Sequence, residues 1–344
     1  MFLFSALMLN RLSRSTKLFF RYIPPSSILT HRNLFSARFN TNMERCVVRC
    51  VPRESKLTIS FNLDGSNKQM LREQTEPLGK VLARIANSLI KAQNKAKKSR
   101  PNEEKRETPE ISLRVNETRV PEDTVSARAW QDGAVLHVGS LKYKVELNPP
   151  TFTVSELPTS LMAGFPVCPK LEMEFGELRD SEFRWFKESS PDAPQDCWME
   201  AGCERVFTPS NLDIGLKVML KCTPGNGSRF GEPKELVSSG VVEAGPGACS
   251  FDNRHMFTQE ATGESSLRLV SYNILADIYA QTELSKTVLY PYCAPYALDM
   301  DYRQNLIKKE LSGYNADIVC LQEVDKGAFV DSLSPALDAF GLDG

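Results

Sequence analysis

The chain has 344 residues, 41% hydrophobic and 25% charged, with a formal net charge of −1. This is an ordinary composition for a soluble protein of two or three domains. No run approaches eighteen consecutive apolar residues, so a transmembrane helix is not expected.

The small net charge hides an asymmetry. Residues 1–42 carry six basic residues (Arg11, Arg14, Lys17, Arg21, Arg32, Arg38) and no acidic one, which leaves 36 basic against 43 acidic residues in the remainder. On a helix, Arg11, Arg14, Lys17 and Arg21 gather on one side, with Met8, Leu12, Phe19, Phe20 and Ile23 on the other. An amphipathic, arginine-bearing, acid-free segment reads as a mitochondrial transit peptide, which places the protein in the matrix. A secretory signal would carry its charge before the apolar stretch Phe2 to Leu9, whereas here the charge follows it. Met43 offers an internal start.

Leu57–Leu63 alternates as a strand does, and Asp64-Gly65 supplies a turn. Pro77 opens a helix with Leu78, Val81, Leu82, Ile85 and Leu89 on one face. Strand patterns follow at Ile111–Val115, Ala134–Val138 and Lys142–Leu147, with Asp132-Gly133 as another turn. Strands, a helix and returning strands predict a β-grasp-like domain over residues 43–148. Its basic insert, Lys91 to Arg106, has the charge to contact RNA phosphates, but without aromatic residues to stack bases it reads first as a solvated helix end and loop.

Residues 151–245 carry short strand-like runs broken by Pro and Gly: Leu171–Phe175, Phe183–Phe186, Arg205–Phe207 and Leu216–Cys222. Their spacing, with Trp185 as core, predicts an immunoglobulin-like β-sandwich without its disulfide. Residues 246–266 read as a linker. Nine cysteines without regular pairing fit a reducing compartment, and Cys46, Cys50, Cys197 and Cys203 lack partnering histidines for zinc.

In residues 267–344 two apolar strands end on polar groups: Val270 leads to Asn273, and Ile318, Val319 and Leu321 lead to Glu323. Such near-continuous apolar runs predict strands covered on both faces. Between them Asp301–Leu311 predicts a helix with one apolar and one charged side, which makes a strand, a helix and a parallel strand. Polar residues ending neighbouring buried strands project at one rim of the sheet, so Asn273 and Glu323 are expected in one pocket. A carboxylate with a neighbouring amide suits Mg²⁺-assisted phosphodiester hydrolysis. The plainer alternative pairs Glu323 with a lysine at a sheet edge and uses Asn273 to shape a turn.

The wording Ser271-Tyr-Asn-Ile-Leu-Ala-Asp277, Tyr290-Pro-Tyr-Cys293, Tyr302-Arg303 and Ala316-Asp-Ile-Val-Cys-Leu-Gln-Glu-Val324 resembles the start of the deadenylase branch of the endonuclease/exonuclease/phosphatase superfamily. The resemblance implies a multi-domain chain, with a β-rich N-terminal region followed by the first part of an α/β four-layer-sandwich nuclease domain. It implies a Mg²⁺-dependent enzyme that removes adenylates from 2',5'-oligoadenylate and from the poly(A) tails of RNA, with Glu323 binding the metal and Asn273 acting beside the scissile phosphate. RNA is then the expected partner, with no membrane and no stable protein partner. The family's later segments, a histidine-containing strand, a Gly-Asp-Phe-Asn stretch and a terminal Ser-Asp-His, do not occur here. His31, His137 and His255 all precede the first nuclease strand. The expectation is a C-terminally truncated chain, inactive by itself. The alternative is a non-catalytic splice form that binds RNA or a partner.

Overall fold

A computed structural model describes residues 6–10, 43–63, 65–99, 110–191 and 197–344, excepting the side chains of 6–10 and 91–99. The chain is β-rich, with several sheets and few helices. It divides after Pro149 into two compact units: Phe19–Pro149, and Met1–Leu18 together with Pro150–Gly344. Strand β1 (Ala6–Asn10) belongs to the latter.

In the unit ending at Pro149, β2 (Glu44–Cys50) and β3 (Lys56–Leu63) pair antiparallel, and β3 turns through Gly65, at φ +74°, into β4 (Ser66–Glu73). That positive φ is one a glycine adopts without steric cost. Alternate residues Leu57, Ile59, Phe61 and Leu63 of β3 are buried. Over them lies helix α1 (Leu78–Ser99), whose Leu78, Val81, Leu82, Ile85 and Leu89 recur at helical spacing and join the same core. Each such buried side chain contributes about 1.5–3 kcal/mol of apolar burial. Strands β5 (Ile111–Val115), β6 (Thr118–Arg119), β7 (Val135–Val138) and β8 (Leu141–Leu147) complete a seven-stranded sheet, with helix α2 (Ser126–Ala129) between β6 and β7. The order is β4-β3-β2-β8-β7-β5-β6. The first described strand of the unit, β2, runs parallel to the last, β8.

The segment after Pro150 contains β9 (Thr151–Glu156), β10 (Leu161–Met162), β11 (Lys170–Glu174), β12 (Glu182–Glu188), β13 (Trp198–Gly202), β14 (Val218–Thr223), β15 (Lys234–Val237) and β16 (Val242–Glu243). A four-stranded sheet β13-β12-β14-β15 and the pairs β9–β11 and β10–β16 share one core around Phe152, Leu171, Trp185, Val218, Leu220 and Val242. Trp185 is fully buried, donates its indole N–H to the Glu204 carbonyl at 2.9 Å and stacks on Phe207. Asp213 is also buried. It accepts from the Ser210 backbone N–H and hydroxyl and pairs with Lys187 at 2.5 Å. Burial alone would raise its pKa, but the Lys187 ammonium and the Ser210 donors outweigh this and hold it below the usual carboxylate range.

Helix α3 (Ser250–His255) lies within the segment expected as a linker, and its Phe251 packs with Met162 and Phe165. Strand β17 (Leu269–Asn273), helix α4 (Asp277–Ala280), helix α5 (Met300–Gly313), strand β18 (Ile318–Gln322) and strand β19 (Leu342–Asp343) follow. The sheet order here is β17-β18-β1-β19, with β17 and β18 parallel and Asn273 opposite Gln322. Ile307 and Leu311 of α5 pack on Val319 and Leu321 of β18. The β-rich segment packs against α5. Asn305 donates to the Ser160 hydroxyl at 3.2 Å, and Lys309 sits 4.5 Å over the Phe165 ring. Lys170–Asp331 and Arg205–Asp338 form ion pairs at 2.7 Å. Lys308 is only 2% exposed and lies near Cys168, and burial lowers its pKa.

Several expectations need correction. Strand β17 is not covered on both faces: none of its residues is fully buried, because it is the outer strand of its sheet. Arg205–Phe207 is not a strand, since Phe207 makes only an isolated bridge to Val167. Ala6–Asn10 is extended rather than helical, and the rest of the expected presequence helix lies outside the described residues. The basic insert is helical to Ser99, and its side chains likewise lie outside the described residues.

Candidate active site

The parallel register places the ends of β17 and β18 side by side, and the two polar residues singled out in the sequence meet there. Asn273 donates from Nδ2 to Glu323 Oε1 at 2.8 Å. Its own Oδ1 accepts from the Leu275 backbone N–H at 2.9 Å, which fixes the amide so that its donor faces the carboxylate. The second oxygen, Glu323 Oε2, accepts from the Ala276 N–H at 3.3 Å. Two residues after Glu323, Asp325 accepts from the Asp277 N–H at 2.6 Å. The polar ends of both strands are thus joined through the turn 274–277.

Two backbone positions here are unusual. Glu323 has φ +54° and Leu275 has φ +60°, in the left-handed region that non-glycine residues rarely enter. Such conformations cost about 1–3 kcal/mol and cluster where function requires a side chain to be aimed. At Glu323 the conformation turns the chain immediately after the strand.

Arg303 of α5, with its side chain 12% exposed, lies beneath the turn. Its guanidinium donates to the carbonyls of Leu298 (2.8 Å), Ile274 (3.0 Å) and Leu275 (2.8 Å), and to Asp277 Oδ1 (3.2 Å). Gln281 also donates to Asp277 Oδ1 and to the Leu298 carbonyl. Sequence reading gave Arg303, Asp277 and Asp325 no role at the site. Asp277 and Arg303 entered it only as part of the wording that carries the family resemblance.

Tyr272 precedes Asn273 and, by strand alternation, lies on the opposite face of β17. Burial first, and then the nearby Glu310 charge, push its hydroxyl above the ordinary tyrosine range. Glu310 in turn accepts from Arg254 at 2.5 Å and from the Tyr314 hydroxyl at 2.6 Å. Neither described histidine lies at the strand ends. His255 donates from Nε2 to the Glu310 carbonyl at 2.9 Å and packs between Phe251 and Tyr314. His137 is on β7, and burial followed by the Arg114 and Lys142 charges lowers its pKa. His31 lies outside the described residues.

Among the described residues no group of three or more His, Cys, Asp or Glu side chains is arranged to hold a metal. The donor set at the rim does not fit a metal caged by protein ligands. It does fit a hard cation held through one carboxylate, with water and phosphate oxygens completing the shell.

Comparison with known proteins gives this geometry its context. Residues 149–243 match the family model for the N-terminal domain of 2',5'-phosphodiesterase 12-like proteins. Carbon catabolite repressor protein 4 homolog 1 of Arabidopsis thaliana is 42% identical over 159 residues, 42% of this chain and 25% of that protein. The CCR4-Not complex 3'-5'-exoribonuclease subunit Ccr4 of Schizosaccharomyces pombe is 42% identical over 76 residues, 22% of this chain and 10% of that protein. The relatives are thus hydrolytic nucleases, and the resemblance to a deadenylase branch is borne out. More particularly, the chain is similar to 2',5'-phosphodiesterase 12 of Homo sapiens, with 55% identity over 338 residues, 88% of this chain. The chain spans 56% of that relative's length. Among the described residues no helix is long and apolar enough to cross a membrane.

Proposed function

We propose that the strand-end pair Asn273–Glu323 belongs to a Mg²⁺-dependent phosphodiesterase centre that removes adenylates from 2',5'-oligoadenylate and from the 3' ends of RNA. The observation that carries this reading is the 2.8 Å hydrogen bond joining the two residues at the rim of a parallel strand pair. The homologues' printed activities support the substrate class. In this reading residues 43–148 are β-grasp-like, residues 151–245 immunoglobulin-like, and residues 267–344 part of an α/β nuclease domain. Residues 1–42 direct the protein to the mitochondrial matrix.

Glu323 would hold the metal. When bound, Mg²⁺ supplies stabilisation of the charge that develops on the scissile phosphate. Asn273 contributes an uncharged donor beside that position, held in orientation by the Leu275 N–H. A neutral amide binds a phosphate oxygen without repelling the metal or adding charge. The described histidines are engaged elsewhere, so among the described residues the centre has no imidazole for proton transfer, and turnover by these residues alone is not expected.

Mn²⁺ binding by the purified chain, followed by electron paramagnetic resonance, tests the metal role. Wild-type protein should bind one ion, Glu323→Gln should lose it, and Asn273→Ala should weaken it by a few fold. Unchanged binding by Glu323→Gln would remove Glu323 from the reading. Incubation with 2',5'-linked oligoadenylate and Mg²⁺ tests the rest. Metal-dependent cleavage by wild type that disappears in Glu323→Gln would establish the activity and overturn the expectation of an inactive chain.

A further inference from the structure

We infer that Arg303 is the positioning residue of this site: its guanidinium holds the turn 274–277 in the one conformation that aims Asn273 and Glu323 at each other. The inference rests on the proposed role of those two residues. The turn is bonded on both sides. Outward, the N–H groups of Leu275, Ala276 and Asp277 donate to Asn273, Glu323 and Asp325 in that order. Inward, the carbonyls of Ile274 and Leu275 and the Asp277 carboxylate accept from Arg303. Leu275 sits at φ +60°, which its side chain disfavours, so the turn requires outside support. Arg303 provides that support from a guanidinium that is nearly enclosed.

The geometry demands arginine. One nitrogen, Nη1, serves two carbonyls, while Nε reaches the Leu298 carbonyl and Nη2 reaches Asp277, so the planar fork spans four acceptors on two chain segments. A lysine carries the same charge as a single compact point and cannot span those acceptors. The Leu298 bond lies just before α5 and is the part of the network that a purely structural role would use. The bonds to Ile274 and Leu275 lie on the turn itself.

The test uses the full chain carrying Arg303→Lys, with Arg303→Ala as the severe variant and Glu323→Gln as the control. Hydrogen–deuterium exchange should show the amides of residues 275–277 exchanging at least tenfold faster in Arg303→Lys, with residues 306–313 of α5 and the β-rich segment unchanged. Mn²⁺ affinity should fall at least tenfold in the same variant. Glu323→Gln should lose Mn²⁺ while keeping slow exchange at Leu275 and Asp277, whose N–H groups donate to Asn273 and Asp325 and not to Glu323. Wild-type exchange at those amides in Arg303→Lys would overturn the inference. So would a uniform loss of protection along the chain, which marks a general structural role. If wild-type protein binds no Mn²⁺, the metal reading fails, and the exchange comparison still decides whether Arg303 holds the turn.

Discussion

The β-rich segment of residues 151–243 and the strand–helix–strand segment of residues 267–343 belong to one compact unit and each has a buried core, but they differ in where polar order is placed. In the first, Trp185, Val218, Leu220 and Val242 are fully enclosed, and the buried Asp213 is satisfied by Ser210 and the half-buried Lys187. In the second, Ile278, Val288 and Tyr292 are 71%, 64% and 80% exposed, and β17 has no fully buried residue. The first segment is organised for packing. The second has a core of its own around Ile307, Leu311, Val319 and Leu321, and in addition joins its strand ends by hydrogen bonds where two residues hold unfavourable backbone angles. The ion pairs of Lys170 and Arg205 join the two segments.

The difference can be broken most forcefully at Trp185. Replacing it with alanine removes a fully buried ring together with its bond to Glu204, and should cost about 3–5 kcal/mol in urea unfolding. A loss below 1 kcal/mol would mean that the β-rich core is not a stabilising one.

Next comes Asp213→Asn, which leaves Lys187 without its counter-charge and should cost about 2–3 kcal/mol at pH 7. Because the folded carboxyl titrates below its unfolded value of about 4, its contribution is complete above that pH and disappears as the pH falls through the folded pKa. The gap in melting temperature between wild type and variant should therefore close on acidification below about pH 4, and a pH-independent gap would contradict the assignment.

On the other side of the comparison, a Cβ at Gly313 would overlap the His255 ring. Gly313→Ala should therefore displace that ring from Glu310 and cost about 1–2 kcal/mol, even though alanine favours helix. An increase in stability would show that the ring moves freely. The smallest effect belongs to Val288→Ser on the exposed face, where the change in stability should stay within about 0.5 kcal/mol. A larger loss would mean that this face is covered in solution.

The strands around Trp185 and Val218 were legible because their apolar residues recur at the right period. The helix of residues 300–313 was placed, but its expected division into one apolar and one charged side was wrong, since Gln304, Asn305, Lys308 and Glu310 are buried along with Ile307 and Leu311. Strands β4, β13 and β15 were not legible. Each lies at the edge of its sheet and carries polar or charged side chains where an inner strand would be apolar. Strand β2 was missed for another reason, as its parallel partner lies far along the chain.

At the site, Asn273 and Glu323 were readable as polar endings of apolar runs. The left-handed angles of Leu275 and Glu323 have no signature in residues other than glycine. The task of Arg303 is also silent in sequence, because its acceptors are backbone carbonyls, which every residue type carries.

The parallel pairing of β2 with β8 governs the order of events at the ribosome. Cys50 and Asn148, 98 residues apart, exchange two hydrogen bonds at 2.7 and 2.8 Å. At a translation speed of about 5–20 residues per second, β2 waits roughly 5–20 s for the strand that flanks it. During that interval Cys46 and Val48 have β3 as their only neighbouring strand. A nascent chain arrested before Leu141 should therefore be protease-sensitive in this region, and one released beyond Asn148 should be protected.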